Sequence, residues 1–557
     1  VDEILRRTWR LPDAAIDRVL RIRSMTQHFL DYVLAAVPWA QYQILGFTST
    51  FEQNIASLAL ARRLKDEFPR IQTVFGGANW EADMGVELHR KFPFVDYVCG
   101  GEAEMSFPAL VECLCQGSQL NVQGPRIPGI VYRDRGASVS TGPREAIPSL
   151  DALPIPDYGD YFRDLSESSI GASVVPTLLF ETSRGCWWGA KSHCTFCGLN
   201  GGAMAFRSKS QRRALDELRY LVERWRVEMV EAVDNILDMK YFTELLPELA
   251  RAGLGAQIFY EVKANLTRRH LRLLKDAGVH RIQPGIESLN DHVLSLMRKG
   301  TTGLRNIQLL KWCKEYEITV EWNLLYGFPG ETLEDYAETL RLLPLIRHLN
   351  PPTACGPLRL DRFSPYHEAQ ASFGLVNVRP LSTYQHLYPF EEPSLRRIAY
   401  YFDFDYAPAI DPRGFADEVV RYAEQWKRAP ELGTLTAMRR PDGGLALADT
   451  RAGATATALT LHDREQAAYE YCDEAHSVAA VTRYLRESFP DRPTQEKHVR
   501  SFLDAAVSRK LMARANDHYV NLAIATGPLR GELEQRRSQT TAPARQPIRL
   551  SALPAES

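Results

Sequence analysis

The sequence contains no run of eighteen apolar residues, so it predicts no transmembrane helix, and its opening, Val1-Asp-Glu-Ile-Leu-Arg-Arg, is not a signal peptide. Surplus charge is also missing. A formal net charge of −2 gives no general case for nucleic acid or an anionic membrane as a partner. Cysteine is sparse, with nine among 557 residues. Six of them, Cys99, Cys113, Cys115, Cys313, Cys355 and Cys472, show no metal-ligand clustering beyond the neighbours Cys113 and Cys115, and read as buried thiols. Free thiols fit a cytoplasmic location, which is the expectation. The chain does not begin with Met and opens as helix rather than strand, so a preceding segment is expected.

The other three cysteines carry the chemistry. They fall in Ser183-Arg-Gly-Cys186-Trp-Trp-Gly-Ala-Lys-Ser-His-Cys194-Thr-Phe-Cys197-Gly198, with spacing Cys-x7-Cys-x2-Cys. Structural zinc sites mostly pair their thiolates as CxxC, and electron-transfer iron–sulfur clusters mostly use four. Three thiolates around one metal cluster leave a coordination position for an outside ligand. A zinc site completed by His193 is the structural alternative, against which stands the strain of ligating through the adjacent residues His193 and Cys194.

Length and composition, with 45% hydrophobic and 24% charged residues, allow three or four globular domains. The fold class predicted is α/β. Over 1–125, short apolar strands at Gln43, Thr73 and Val95 alternate with amphipathic helices and predict a doubly wound parallel sheet, with Thr48, Ser49, Gly76, Gly77 and Glu102 at strand ends where ligands sit. Residues 126–175 hold a hairpin and a Pro-rich stretch and read as a linker. Over 176–372, candidate strands at 177–181, 229–233, 257–262, 281–284, 319–325 and 356–361 alternate with periodic helices and predict a partial (β/α)6 barrel. Reactive groups then belong at strand C-termini, where the cysteine loop, Asp234, Asn235, Lys263, Asn265, Glu287, Ser288, Asn323 and Tyr326 fall. Ordinary loop polarity and capping, by Asn265 or Thr267 for example, is the structural reading of these same residues. Residues 373–440 read as a helical extension closing the barrel, 441–526 as a winged-helix-like α+β domain with near-balanced charge, and 527–557 as a disordered tail.

The cysteine loop, together with Phe180-Glu-Thr-Ser-Arg-Gly-Cys-Trp-Trp-Gly and His-Cys-Thr-Phe-Cys-Gly-Leu-Asn-Gly, resembles radical S-adenosylmethionine enzymes. The first gap is four residues longer than their usual Cys-x3-Cys-x2-Cys, and in this the chain resembles the peptide maturases labelled RiPP maturation radical SAM protein 1. The resemblance implies a 4Fe–4S cluster on Cys186, Cys194 and Cys197, with S-adenosylmethionine on the open iron, cleaved by one electron to a 5′-deoxyadenosyl radical. It implies cofactor contacts from Phe196, Gly198, Asp234, Asn235, Asn265, Glu287, Ser288, Asn323 and Arg362, and catalytic roles for Glu287, Lys263 and Tyr326. It also implies cobalamin on the N-terminal sheet at Thr48, Ser49, Gly76, Gly77 and Glu102. With no Asp-x-His-x-x-Gly in the chain, no histidine would ligate cobalt. The expected partners are a precursor peptide with a leader, which would add a strand to the wing sheet, and a reductant such as flavodoxin or ferredoxin. Nucleic acid and membrane are not expected as partners. A cobalamin-dependent methyltransferase acting on a small metabolite shares every cofactor motif and is the alternative.

Overall fold

The structure, a computed structural model, describes residues 2, 4–8, 11–117, 120, 126–143, 146–201, 204–407, 411–430 and 432–538. It separates into two compact units, the first drawn from Val1–Pro148, Leu360–Arg362 and Asn377–Phe404, the second from Ser149–Arg359, Phe363–Val376 and Asp405–Ser557.

In the first unit, β1 (Ile44–Thr48), β2 (Gln72–Gly76) and β3 (Tyr97–Cys99) lie parallel in sequence order. Side chains alternate across a strand, so Phe75 and Val98 join Leu58, Trp80 and Leu88 on one face, while Val74, Tyr97 and Cys99 join Leu110 and Ile130 on the other. Both faces are buried, as a parallel sheet requires. The hairpin expected in the linker belongs to this sheet instead. Its strands β4 (Ile130–Asp134) and β5 (Ala137–Ser140) extend it antiparallel from β3, satisfying main-chain groups that would otherwise form an open edge. Part of the expected barrel extension also belongs here, because Tyr388, Leu395 and Ile398 complete the core around Phe75. Their aromatic and aliphatic bulk reads equally well as closing either unit.

In the second unit, β6 (Thr177–Phe180), β7 (Met229–Ala232), β8 (Gln257–Glu261), β9 (Val279–Gln283) and β10 (Thr319–Val320) pair parallel in that order. The fifth strand breaks at Glu321-Trp322 and resumes as β11 (Asn323–Tyr326), which pairs parallel with β12 (Ala354–Pro357). Trp322 accounts for the break: its ring is buried and its indole N–H is given to the Asn350 carbonyl, 3.0 Å away. Helices at Gln211–Trp225, Arg268–Asp276 and Gly303–Glu315 bury Leu221, Leu271 and Leu310 in one core with the strands. The partial six-stranded barrel is therefore present.

The C-terminal part contains the winged-helix order: helix Asp463–Tyr471, strand His476–Ser477, helices Val478–Ser488 and Glu496–Ser508, then the hairpin Met512–Ala515 and His518–Asn521. A second sheet precedes it, made of Leu435–Arg439, Leu445–Asp449 and Ala458–Leu461, with Ile524–Ala525 added. The wing hairpin packs on barrel helix Gly303–Glu315, and its core is continuous with that of the barrel. Between them lies a buried charge cluster. Asp473 accepts from Arg268 Nε (2.8 Å), Lys311 Nζ (2.9 Å) and the Trp312 indole (3.1 Å), while Arg268 also pairs with Glu315 and Lys311 also bonds Asn521 Oδ1 (2.6 Å). The expected tail is partly a helix, Pro528–Ser538, because it has an anchored face: Leu529 is buried, and Glu532 and Glu534 take Arg439 (2.7 Å) and the Tyr316 hydroxyl (3.1 Å). Residues 539–557 lie outside the described residues. No helix among the described residues is long and apolar enough to cross a membrane.

Candidate active site

Strand β6 delivers the chain to the cysteine loop, and Asp234, just beyond β7, holds the entry. Its buried carboxylate accepts from the Thr182 N–H (2.7 Å), the Thr182 hydroxyl and the Ser183 hydroxyl (2.8 Å). Burial pushes its carboxyl up to about 6 against the opposing pull of these donors. Asp234 was expected at a cofactor; its oxygens are spent on Thr182 and Ser183, so it is a positioning residue. Asn235 likewise bonds Asn200 Oδ1 at 2.7 Å.

The loop then turns tightly. Gly185 has φ +78°, and a Cβ there would lie 2.3 Å from the Ala205 carbonyl oxygen, so only glycine fits. Cys186 caps the short helix Trp187–Lys191, its Sγ accepting the Gly189 N–H at 3.3 Å. Thr195 ties the far side down through its N–H to Met297 (3.2 Å) and its hydroxyl to Leu296 (3.0 Å). Burial raises the Cys186 thiol and pushes Cys197 up to about 12. The three thiols lie within electrostatic reach of one another. Among the described residues no three His, Cys, Asp or Glu side chains are grouped to hold one metal ion, and His193, the fourth ligand of the zinc alternative, donates Nε2 to the Cys197 carbonyl at 2.9 Å.

Two lysines stand against this loop. Lys263, past the end of β8, is buried, donates Nζ to the Lys299 carbonyl and lies 4.1 Å from the centre of the Trp188 ring. Burial and the Lys299 charge lower it to about 8, against the pull of Cys194 and Cys186. Lys299, also buried, places Nζ 3.9 Å from Glu287 Oε1 and 5.8 Å from the centre of the Phe196 ring, and its charge reaches Cys186 and Cys197. Gly285 makes room for that ammonium, since a Cβ there would stand 3.0 Å from it. Glu287 is buried, its carboxyl raised by burial, and its Oε2 has no hydrogen-bond partner. Asn323 stands beside the same carboxyl and favours its charged form against burial. Glu261, at the end of β8, is pushed up to about 7 by burial and by the neighbouring Glu287 and Asp234.

Cys186, Cys194, Cys197, Phe196, Lys263, Glu287 and Asn323 are thus brought together as expected from sequence. Lys299, Glu261 and Trp188 complete the group. Lys299 lies beyond the helix after β9, where no strand-end argument reaches, and Glu261 reads as a strand residue.

The remaining candidates stand elsewhere or do other work. Gly198 is buried. Ser288 accepts the Asn290 N–H (3.1 Å) in a turn and lines, with Tyr326, Glu331 and Tyr336, a small cavity of about 20 Å³. Asn265 is exposed, and Thr267 caps the following helix. Arg362, expected at the cofactor or substrate, belongs to the first unit. Its guanidinium is committed to the carbonyls of Ala399 (2.7 Å) and Arg396. In the same unit Thr48 is exposed, Ser49 is buried and accepts from Asn79 (2.9 Å), and Glu102 accepts the Ile147 N–H (2.9 Å). Gly76 ends β2, and Gly77, at φ +91°, lies where a Cβ would come within 2.5 Å of the Ser49 carbonyl.

Three sulfurs in one loop beyond β6, two ammonium groups that offset thiolate charge, and an orphaned carboxylate oxygen fit an iron–sulfur cluster together with a ligand that carries an amino group. Residues 180–343 match the Radical SAM superfamily, so the chain carries a radical SAM domain, which implies a 4Fe–4S cluster and S-adenosylmethionine as cofactors. An uncharacterized methyltransferase of Pyrococcus horikoshii is 27% identical over 303 residues, covering 54% of this chain and 63% of the relative. The chain spans from 44% to 63% of the length of the first curated relatives it matches. In fold it is similar to the cobalamin-dependent S-adenosylmethionine radical enzyme OxsB with aqua-cobalamin bound (TM-score 0.54, 16% identity, 68% of this chain and 58% of that one). It is likewise similar to the radical S-adenosylmethionine methyltransferase TsrM from Kitasatospora setae (TM-score 0.51, 17% identity, 73% and 81%).

Proposed function

We propose that this protein is a cobalamin-dependent radical S-adenosylmethionine enzyme that modifies, by methylation, an unactivated C–H position of a ribosomally made peptide. The observation that carries the radical chemistry is the three-thiol loop facing Lys263, Lys299 and the orphaned Glu287 Oε2. Cys186, Cys194 and Cys197 would hold three irons, and Glu287 Oε2 would accept a hydrogen bond from the amino group of S-adenosylmethionine. The Trp188 and Phe196 rings lie against the two ammonium groups, which keep positive charge beside the thiolates. When bound, the cluster and S-adenosylmethionine supply one-electron chemistry; this chain supplies position and shielding. Cobalamin is supported by the fold likeness to OxsB and TsrM and by the sheet that precedes the barrel. Lacking the histidine motif, the chain would leave cobalt without a protein histidine, read by the ultraviolet–visible and paramagnetic resonance spectra of the cobalamin-loaded protein. A reductant such as flavodoxin or ferredoxin would deliver the electron.

The second reading, methylation of a small metabolite, is favoured by one finding: the TsrM structure holds tryptophan as substrate. Anaerobic assays with methyl-labelled S-adenosylmethionine, offered peptide or small-molecule acceptors, separate the two. For the site itself, Cys194→Ala is expected to lose the cluster by iron and sulfide analysis, and a variant that keeps a full cluster refutes the assignment. Glu287→Gln is expected to weaken S-adenosylmethionine binding by the worth of one charge-assisted hydrogen bond, about 1.5–3 kcal/mol, or roughly tenfold to a hundredfold. Unchanged affinity would show that the orphaned oxygen faces something else.

A further inference from the structure

The short helix Asp291–Leu296, which follows β9, ends in a turn closed on itself: Lys299 gives its N–H to the Leu294 carbonyl and Arg298 its N–H to the Ser295 carbonyl, both at 3.0 Å. Arg298 takes φ +57° to close it, a left-handed position more often given to glycine. The four carbonyls beyond, from Leu296 to Lys299, lie past the reach of the helix's own N–H groups. All four are taken by the site. Leu296 accepts the Thr195 hydroxyl (3.0 Å), Met297 the Thr195 N–H (3.2 Å), Arg298 the Trp188 indole N–H (3.3 Å) and Lys299 the Lys263 ammonium. Three of these donors belong to the cysteine loop, and the fourth comes from beyond β8.

Lys263 also closes the group on itself, because its Nζ lies 4.1 Å from the centre of the Trp188 ring. Trp188 is present there only because the first cysteine gap is long. Its seven residues hold the helix Trp187–Lys191, capped by Cys186, and that helix carries the indole to the turn. A gap of three residues has no room for such an element.

As an ordinary core residue Lys263 is out of place. It is 8% exposed and makes no ion pair among the described residues, whereas Lys299 has Glu287 beside it. A buried ammonium without a carboxylate is costly, and a carbonyl and an indole face offset that only in part. The missing negative charge arrives when the cysteines ionise to hold metal, since Cys194 and Cys186 lie within its electrostatic reach. We propose that Lys263 is a positioning residue, the bolt that locks the cysteine loop onto the Leu296–Lys299 turn and so sets the geometry of the three thiols before any cofactor is bound. This role replaces the catalytic one expected for it from sequence. The inference rests on the reading of the three cysteines as cluster ligands; the lock itself belongs to the cofactor-free chain, so the two can fail separately.

The test begins with hydrogen–deuterium exchange on the full chain without cofactors. Lys263→Met keeps the length of the side chain and removes its charge and its donor. Exchange over 186–199 and 294–301 is expected to quicken by at least about tenfold, the lower end of what a lost charge-assisted hydrogen bond removes, with helix Gln211–Trp225 unchanged. Lys263→Arg restores a donor and a cation against the indole, and is expected to stay within about threefold of wild type. Trp188→Leu removes the other half of the lock. The double variant is expected to exchange no faster than the faster single one, as residues acting as one unit do. In the reconstituted protein, loss of the cation beside the thiolates is expected to shift the redox equilibrium of the cluster toward the oxidised form by about tenfold, about 59 mV for one electron, and Lys263→Arg to restore it. Wild-type exchange in Lys263→Met overturns the proposal, and so does faster exchange spread equally over Gln211–Trp225, which is lost stability and not a lost lock. A wild-type potential in Lys263→Met also overturns it, because the lock would then be structural only. If Lys263→Met does not fold, Trp188→Leu carries the same exchange test with the same refutation. A wild-type chain that takes up no cluster while the exchange results hold refutes the cluster reading and leaves the lock standing.

Discussion

Asp473 is where the C-terminal domain and the barrel depend on each other most. Two buried cations, Arg268 and Lys311, face two buried carboxylates, Glu315 and Asp473, so the cluster is charge-balanced. Asp473→Ala leaves Lys311 with only neutral oxygens and a net positive charge in the interior. Breaking a buried pair by removing one partner costs about 3–5 kcal/mol. With a urea m-value of about 3 kcal/mol/M the unfolding midpoint should fall by roughly 1–1.7 M. The double variant Lys311→Met/Asp473→Leu restores balance and keeps Arg268 with Glu315, so it should recover most of the loss. Acid provides a second readout. Burial opposes the charge on Asp473, yet Arg268 and Lys311 outweigh it and hold its carboxyl below the usual carboxylate range. A depressed folded-state value means the stabilisation is complete above the unfolded value of about 3.9 and is lost as pH falls below it. That acid segment should be missing in Asp473→Ala. A midpoint loss equivalent to less than about 1 kcal/mol, the worth of an exposed pair, with no recovery in the double variant, refutes this account.

Two further outcomes are expected in the barrel. Glu331 accepts the Gly327 N–H at 2.8 Å and the Tyr336 hydroxyl, and burial pushes its carboxyl up to about 7. The folded state therefore holds a proton that the unfolded state gives up, and stability declines as pH rises from about 4.3 toward 7; Glu331→Gln should flatten that decline in thermal-unfolding midpoints across the same window. Gly300, at φ +63°, lies where a Cβ would come within 2.3 Å of the Trp188 ring. Gly300→Ala is expected to displace that ring from Lys263 and lower the melting temperature, and an unchanged tryptophan emission spectrum and melting temperature would show that the ring has room to yield.

The barrel strands were legible because each is a short apolar run ending in polar residues, and the cysteine loop because its spacing states its chemistry. What escaped was set by distance in the sequence. Lys299 reaches the thiols only because the helix after β9 ends beside the loop. Asp234 and Arg362 have the residue types of ligands, and only tertiary partners show that their hydrogen bonds are taken. Period-two patterning marked Ile130–Ser140 as a hairpin without saying which sheet it would join. The same limit applied to Tyr388, Leu395 and Ile398, whose burial was evident and whose neighbours were not.

That last allocation has a consequence for the order of synthesis. The first unit draws its core partly from Asn377–Phe404, encoded after most of the barrel. A nascent chain emerging amino end first cannot finish this unit when its own sheet has left the ribosome. Leu58, Phe75, Trp80 and Val98 must wait, incompletely covered, while more than two hundred intervening residues are translated, on the order of ten to fifty seconds at 5–20 residues per second. During that interval an exposed apolar sheet is the natural target of a chaperone. Expression as a fragment ending at Pro148 would make the interval permanent.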